Sequence, residues 1–495
     1  MTKVLFQRAR LTPRRPLQSV LIDTDRVAEI GATMGPVDVS EVIDLGGRYL
    51  LRGLWDRHVH FDQWAQVAAR LDLSVAASAL AAAGLVAAHA RARQPNLRAP
   101  IVGYGFRDAL WPDAPDRGLL DSVAEAVPVV LISADLHSAW LNSAALRRFG
   151  HAELTAGLLR EDAAMQVISE VGKVSDDTAD AWCRSASRTA ASRGVVGVVD
   201  MEKPGPLEAW RRRMAGGDRL LRVVASVWPE RLDAAIAGRL HTGDVIAGTS
   251  GLLTVGPMKV IIDGSLNTRT AWCHDAYAPP AEGVDEHGML LVPADELAAL
   301  MLRARDAGFE CAVHAIGDRA NAIALDAFAG TGARGSIEHA QLLDDADVIR
   351  FAQTSVGASV QPEHALDDRD IADRFWGGRT RRAFAFRALL DAGARLSFGS
   401  DAPVAPLDPW LGIAAAVHRS RDARPPWHPE QEITVAEALA ASMVPTRRDP
   451  ALRSGDAADL IVVDGDPFAD APSALRSMPV AATMVGGSWT HRAGI

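Results

Sequence analysis

The sequence is poor in several things, and each shortage closes off a class of protein. Three cysteines occur, Cys183, Cys273 and Cys311. They are far apart and odd in number, which argues against a disulfide framework or a cysteine-built zinc site; they read as small buried apolar residues. Excess positive charge is missing: 52 basic residues face 62 acidic ones, a net charge of -10. That balance favours neither nucleic acid nor an anionic membrane as partner. Long apolar runs are missing too. Residues 1–20 hold no secretory core. The alanine- and leucine-rich stretch from Ser74 to Ala90 is too amphipathic for a span of about 20 residues. A cytoplasmic location is the expectation. Lysine is the scarcest cation: Lys3, Lys173, Lys203 and Lys259 are the only ones, and the remaining basic residues are arginines. A GC-rich coding background explains the bias. It also makes each retained lysine a question about whether a primary amine is needed there.

What is present is an ordinary globular balance, 48% apolar and 23% charged over 495 residues. That length suits two or three domains, or one large barrel with additions. Residues 1–51 read as short strands broken by turns (VLFQRARLT, QSVLIDTDRVAEIG, EVIDLGGRYLL). The C-terminus repeats the style in ADLIVVD and AATMVGGSWT. Residues 1–51 and 452–495 are therefore expected to fold together as one small β-sandwich. Between them, short apolar runs at 53–60, 194–200, 221–228, 255–262, 309–314, 334–339, 355–361 and 394–400 read as buried strands. Helical patterns follow most of them, as at 294–308 and 380–393. Eight such units predict a (β/α)8 TIM-like barrel over 52–62 plus 190–451, in an α/β chain. The excess length, 63–189, is expected to be an insertion after the first barrel strand, covering the barrel mouth. No internal repeat and no low-complexity linker is found.

Chemistry-bearing residues recur at the strand ends. The first ends Asp56-Arg57-His58-Val59-His60, and residues two apart in a strand share a side. His58 and His60 could thus share one divalent metal, although a lone pair of this kind is weak by itself. The fourth reads Pro257-Met258-Lys259-Val260-Ile261-Ile262-Asp263. A lysine inside an apolar strand is costly unless its charge is paired or removed. A neutral amine can also react with CO2 to give a carbamate, a carboxylate that bridges metals; arginine cannot. The fifth strand ends at His314, the sixth at His339, the seventh at His364 and the eighth at Asp401. Barrel active sites are built at this C-terminal face, so the ordered set outweighs any single member.

These motifs carry a resemblance: DRHVH (56–60), KVIIDGSLNTRTA (259–271), HAIGDRA (314–320), IEHAQLL (337–343), ASVQPEH (358–364), FGSDAPV (398–404), LHSAWLNSAAL (136–146) and GDAADLIVVDGDP (455–467). Over nearly the whole chain the sequence resembles the amidohydrolase superfamily, in the branch that includes N-substituted formamide deformylases and, more distantly, D-aminoacylases. The resemblance implies a first metal on His58, His60 and Asp401. It implies a second on His314 and His339, with Lys259 as a bridging carbamate. Two divalent ions, zinc by expectation, would share a hydroxide that attacks a substrate carbonyl. Asp401 would shuttle the proton to the leaving nitrogen. His364 would stabilise the developing oxyanion or hold substrate. His137, Trp64, Trp111 and Trp272 are further candidates for substrate binding, the tryptophans because aromatic walls suit an apolar group; Trp140 and Trp376 also lie near expected mouth loops.

Three features depart from the usual pattern. Arg52 precedes Gly53 where proline is common, Arg57 stands where small residues are usual, and the insertion is compact around Gly157 to Glu161. They leave the metal residues intact and bear on the shape of the pocket. The expected function is hydrolysis of a C–N bond, amide or formamide, in a small molecule. Two alternatives share the residues: a single-metal deaminase on the same fold, and a metal-binding relic without catalysis. A homodimer is the ordinary expectation for a soluble oligomer.

Overall fold

The computed structural model describes residues 3–34, 38–92, 100–106, 108, 111–133, 138–278, 285–444, 449–468 and 472–495. It is a mixed α/β chain built on a TIM-like barrel. Eight strands form one parallel sheet: Leu54–Val59, Val195–Asp200, Arg222–Val227, Leu253–Ile261, Cys311–Ala315, Gly335–His339, Gly357–Val360 and Arg395–Phe398. Sheets covered on both faces need continuous apolar strands, and the second strand, VVGVVD, is buried at all six positions. The eighth strand returns to the first. The Asp401 amide donates to the His58 carbonyl at 2.7 Å and the His60 amide to the Ala402 carbonyl at 2.9 Å, so the seam closes at the end that carries the site.

Outside the barrel, the layer packed on the strands is apolar and tight, with Met301, Leu325, Phe351, Leu389 and Trp410 all buried. The helix expected at 294–308 forms over Ala294–Asp306. The helix expected at 380–393 does not form as one piece. A 3-10 turn over Gly377–Arg382 ends before a short helix at Phe386–Asp391. Phe384, between them, has φ 51° and its amide donates to the Gln341 carbonyl at 2.6 Å. The apolar spacing resembles a helix, but the backbone is pulled over to pair with the loop after the sixth strand.

The two ends of the chain make a sandwich. One four-stranded sheet holds Lys3–Ala9, Gln18–Asp23, Arg26–Gly31 and Glu41–Asp44, and the other holds Tyr49–Arg52, Leu460–Val463, Val480–Val485 and Ser488–Arg492. Phe6, Val20, Ile22, Leu50, Leu460 and Met484 fill one core between them.

By internal contacts the chain divides into two compact units, 1–61 with 187–495, and 62–186. The second is the segment inserted after the first barrel strand. It has a five-stranded sheet of its own (Leu71–Asp72, Ile101–Phe106, Val129–Ser133, Ser138–Leu141, Leu158–Arg160) and separate cores around Trp140 and around Leu146. All three cysteines are free and buried, and among the described residues no helix is long and apolar enough to cross a membrane.

Candidate metal centre

Because the eight strands are parallel, their C-terminal ends meet at one rim. The first contributes His58, which is buried, and His60, which is partly open. The eighth contributes Asp401 from the turn beyond it. Asp401 Oδ1 lies 3.6 Å from His58 Nε2 and 3.4 Å from His60 Nε2. One donor atom from each of these three side chains falls within 4.8 Å of the other two, and His339, His364 and Asp401 form a second such group. The His314 and His339 rings stand 4.4 Å apart, and His58 and His339 4.8 Å. Six residues expected on sequence grounds therefore converge: His58, His60, His314, His339, His364 and Asp401.

The histidines are oriented from behind. Each of three has one ring nitrogen occupied: His58 Nδ1 meets Glu338 Oε2 at 2.6 Å, His339 Nδ1 meets Gln361 Oε1 at 2.8 Å, and His314 Nε2 meets the Gly264 carbonyl at 3.4 Å. Such backing bonds fix the tautomer and aim the other nitrogen, as in metal-ligating histidines. Burial, helped by the nearby Lys259 charge, brings His314 down to about 3. Burial also holds His58 below its ordinary value and His339 well below it. Neutral imidazole is the form a metal needs.

The acids fall into two groups. Burial opposes the ionisation of Asp401, but the hydrogen bond from His60 and the surrounding histidines hold its carboxyl well below the usual range. Burial likewise pushes Glu338 up, and the His58 hydrogen bond, the Lys259 charge and the Ser336 hydroxyl outweigh it, bringing Glu338 to about 2. Burial wins at Asp263, raised to about 7 although the Gly317, Trp272 and Ile316 amides donate to it. It wins again at Asp56, raised to about 6, whose carboxylate receives the His58 and Ser400 amides and so ties the first strand to the eighth.

Lys259 is the telling residue. It is 1% exposed, and its Nζ has no hydrogen-bond partner. Burial lowers its amine to about 8, against the opposing pull of Glu338 and Asp401. A buried amine without an acceptor, among histidines already depressed, is an unstable place for a proton. The donor set fits divalent metal ions: imidazoles aimed by backing bonds, an ionised carboxylate, and an amine with nothing to hold.

Glu338, Gln361, Asp263 and Asp56 were not singled out from the sequence. Glu338 directly precedes His339, and strict strand alternation would put the two on opposite faces. His339 has φ 76° and Ala340 φ 44°. That left-handed bend ends the alternation and lets both serve the centre. Asp56 alone had a readable signal, its two-residue spacing from His58.

The tryptophans scatter. Trp111 belongs to the second unit, where its indole N–H donates to the Ala76 carbonyl at 2.9 Å and its ring packs against Phe106 and Trp140. Trp64 is buried at the start of that unit. Trp376 is buried, with its N–H toward the Tyr277 hydroxyl. Trp272 follows the fourth strand; its amide donates to Asp263 Oδ2 at 2.9 Å, and Arg319 stacks 4.6 Å from its ring centre. His137 lies outside the described residues.

Comparison with known proteins gives the family. Residues 41–491 match the sequence profile of the amidohydrolase family. The chain belongs to that family. The amidohydrolase is 29% identical to the putative amidohydrolase YtcJ of Bacillus subtilis, over 90% of both chains. It is 26% identical to the N-substituted formamide deformylase of Arthrobacter pascens, over 95% of this chain and 94% of the other. A metal-dependent hydrolase from Pyrococcus horikoshii shares its structure with a TM-score of 0.77 and 25% identity, over 95% of this chain and 99% of that one. This amidohydrolase is thus a metal-dependent hydrolase by family, as its strand-end motifs led us to expect.

Proposed function

We propose that this amidohydrolase cleaves a C–N bond, of amide or formamide type, in a small molecule. His58, His60 and Asp401 would hold one divalent ion. His314 and His339 would hold a second, with Lys259 as a carbamate between them; zinc is the expected metal. Such ions supply Lewis acidity toward a substrate carbonyl and make water more acidic. The observation that carries the reading is the convergence of backed histidines on a buried amine with no partner.

The residues support distinct roles. An amine lowered to about 8 has a neutral fraction near physiological pH. Its lone pair bonds to the carbon of CO2 and its N–H proton leaves to water, which turns an unpaired cation into an anionic ligand. Asp401, held ionised beside His60, accepts the proton of the attacking water and returns it to the leaving nitrogen. His364 is buried and its Nε2 has no partner, which suits donation to the substrate oxygen as it gains charge. The partly open face of Trp272 suits an apolar group on the substrate. The name of the Arthrobacter relative favours N-substituted formamides among the amides.

Turnover of the zinc-loaded protein against N-formyl, N-acyl and carbamate compounds bearing aromatic groups tests the substrate class, alongside metal analysis and carbon-13 NMR after exposure to labelled CO2. Two equivalents of zinc, a carbamate signal and C–N hydrolysis are expected. A single equivalent with unmodified Lys259, or ammonia release from ring amidines alone, would overturn the reading in favour of a deaminase.

A further inference from the structure

At the end of the barrel opposite the metal centre, the strands open into a cavity of about 200 Å³. Its lower wall is made where strands begin, at Cys311, Gly335, Gly357 and Arg395; Cys311 pairs with Gly335 and Gly357 with Arg395, with a one-residue step between Gly335 and Gly357. A water's share of liquid is about 30 Å³, so the space holds a small anion with several waters. Arg57 reaches into it from the first strand. It is the arginine that departs from the family pattern, and the metal site makes no use of it.

Glu338 and Glu310 share the cavity wall with Arg57, but neither hydrogen-bonds to it. Its Nε is fully buried with no hydrogen-bond partner. Its guanidinium carbon lies 5.8 Å from the centre of the Trp55 ring, and burial lowers the guanidinium pKa from its ordinary value against the pull of the Glu338 and Glu310 charges. Glu338 is on the same wall, but His58 and Ser336 take its two oxygens. Glu310 pairs with Arg334 at 3.6 Å. Arg395 donates to the Ser355 carbonyl at 2.6 Å. Ser359, 2% exposed, lines the cavity with a hydroxyl that bonds to nothing. A desolvated guanidinium calls for an acceptor. Its planar fork matches two oxygens of one anion, and hydroxyls add donors to a third.

We propose that this cavity is a binding site for a small inorganic oxyanion, seated on Arg57 and Ser359 and separate from the metal centre. The anion supplies an acceptor to a guanidinium whose Nε, among the described residues, has none. The proposal is independent of the substrate and of the number of metals.

Crystals of the metal-loaded protein soaked in selenate would show an anomalous peak beside Arg57 Nε and Ser359 Oγ. No peak there at saturating selenate, or a peak at the metal centre alone, would overturn the proposal and make the cavity a water pocket. Calorimetric titration with inorganic phosphate is the second measurement. Arg57→Met should weaken binding at least tenfold and Ser359→Ala several-fold, with the metal content of both unchanged. Undiminished binding by folded Arg57→Met would reject the site; if that variant does not fold, the selenate soak of the wild-type protein decides.

Discussion

At the residue scale, function turns on groups whose charge is settled by burial and by a neighbour acting together. Lys259 has no acceptor, so its amine needs a reaction or a metal to be at ease. Lys259→Ala should lose both metal and turnover, with partial recovery on adding short carboxylates with zinc. Lys259→Arg should be no better than alanine, since guanidinium forms no carbamate; a fully active arginine variant would remove the carbamate from the reading. Asp401→Asn keeps the size of the side chain and removes its proton acceptor. We expect retained metal with most turnover lost, and turnover equal to wild type would take Asp401 out of proton transfer. Glu338 acts one step behind. Glu338→Gln should lower metal affinity by about 10–100-fold, the usual cost of losing the partner that orients a ligating histidine, as read by competition with a chromophoric chelator. An unchanged affinity would mean that His58 is aimed by packing alone.

At the element scale, the eighth strand has to approach the first closely for Asp401 to reach His58 and His60. Gly399 permits that approach. A Cβ there would lie 2.5 Å from the His58 nitrogen and 2.7 Å from its Cβ. Gly399→Ala should cost about 1–3 kcal/mol, typical of overpacking, and should weaken metal binding together with stability because the displaced atoms belong to a ligand. Chemical denaturation and metal titration check both; normal metal affinity in a destabilised variant would separate the seam from the site. The barrel strands themselves were readable from sequence because burial on both faces demands unbroken apolar runs, and observed bounds fall within a few residues of those expected. The helix expected at 380–393 failed for the complementary reason. Spacing reports which residues are apolar, whereas Phe384 answers to a hydrogen bond with Gln341, 43 positions away in sequence.

At the scale of the whole molecule, every candidate metal residue that converges among the described residues belongs to the unit made of 1–61 and 187–495. The unit 62–186 has its own sheet and cores. Ligands that bind only the folded state stabilise the unit they bind. Removing metal with a chelator should therefore lower the melting temperature of the first unit and leave that of the second in place, giving two resolved transitions by calorimetry. One transition moving as a whole would show that the two units unfold together.

The sequence by itself determined the order of the barrel strands, the strand-rich character of both termini and the candidate residues at the strand ends, the histidines, Lys259 and Asp401. These features are written in local runs and short spacings, which need no knowledge of distant neighbours. Only the tertiary structure decided what stands behind each histidine: Glu338 against His58 and Gln361 against His339, with the Arg57 Nε left without a hydrogen bond in the barrel floor. Those relations join residues 22 to 280 positions apart, and His339 reaches its place through a left-handed backbone that strand periodicity does not encode. Charge compensation in a buried site is set by which side chains arrive there together, and that is fixed only when the barrel closes.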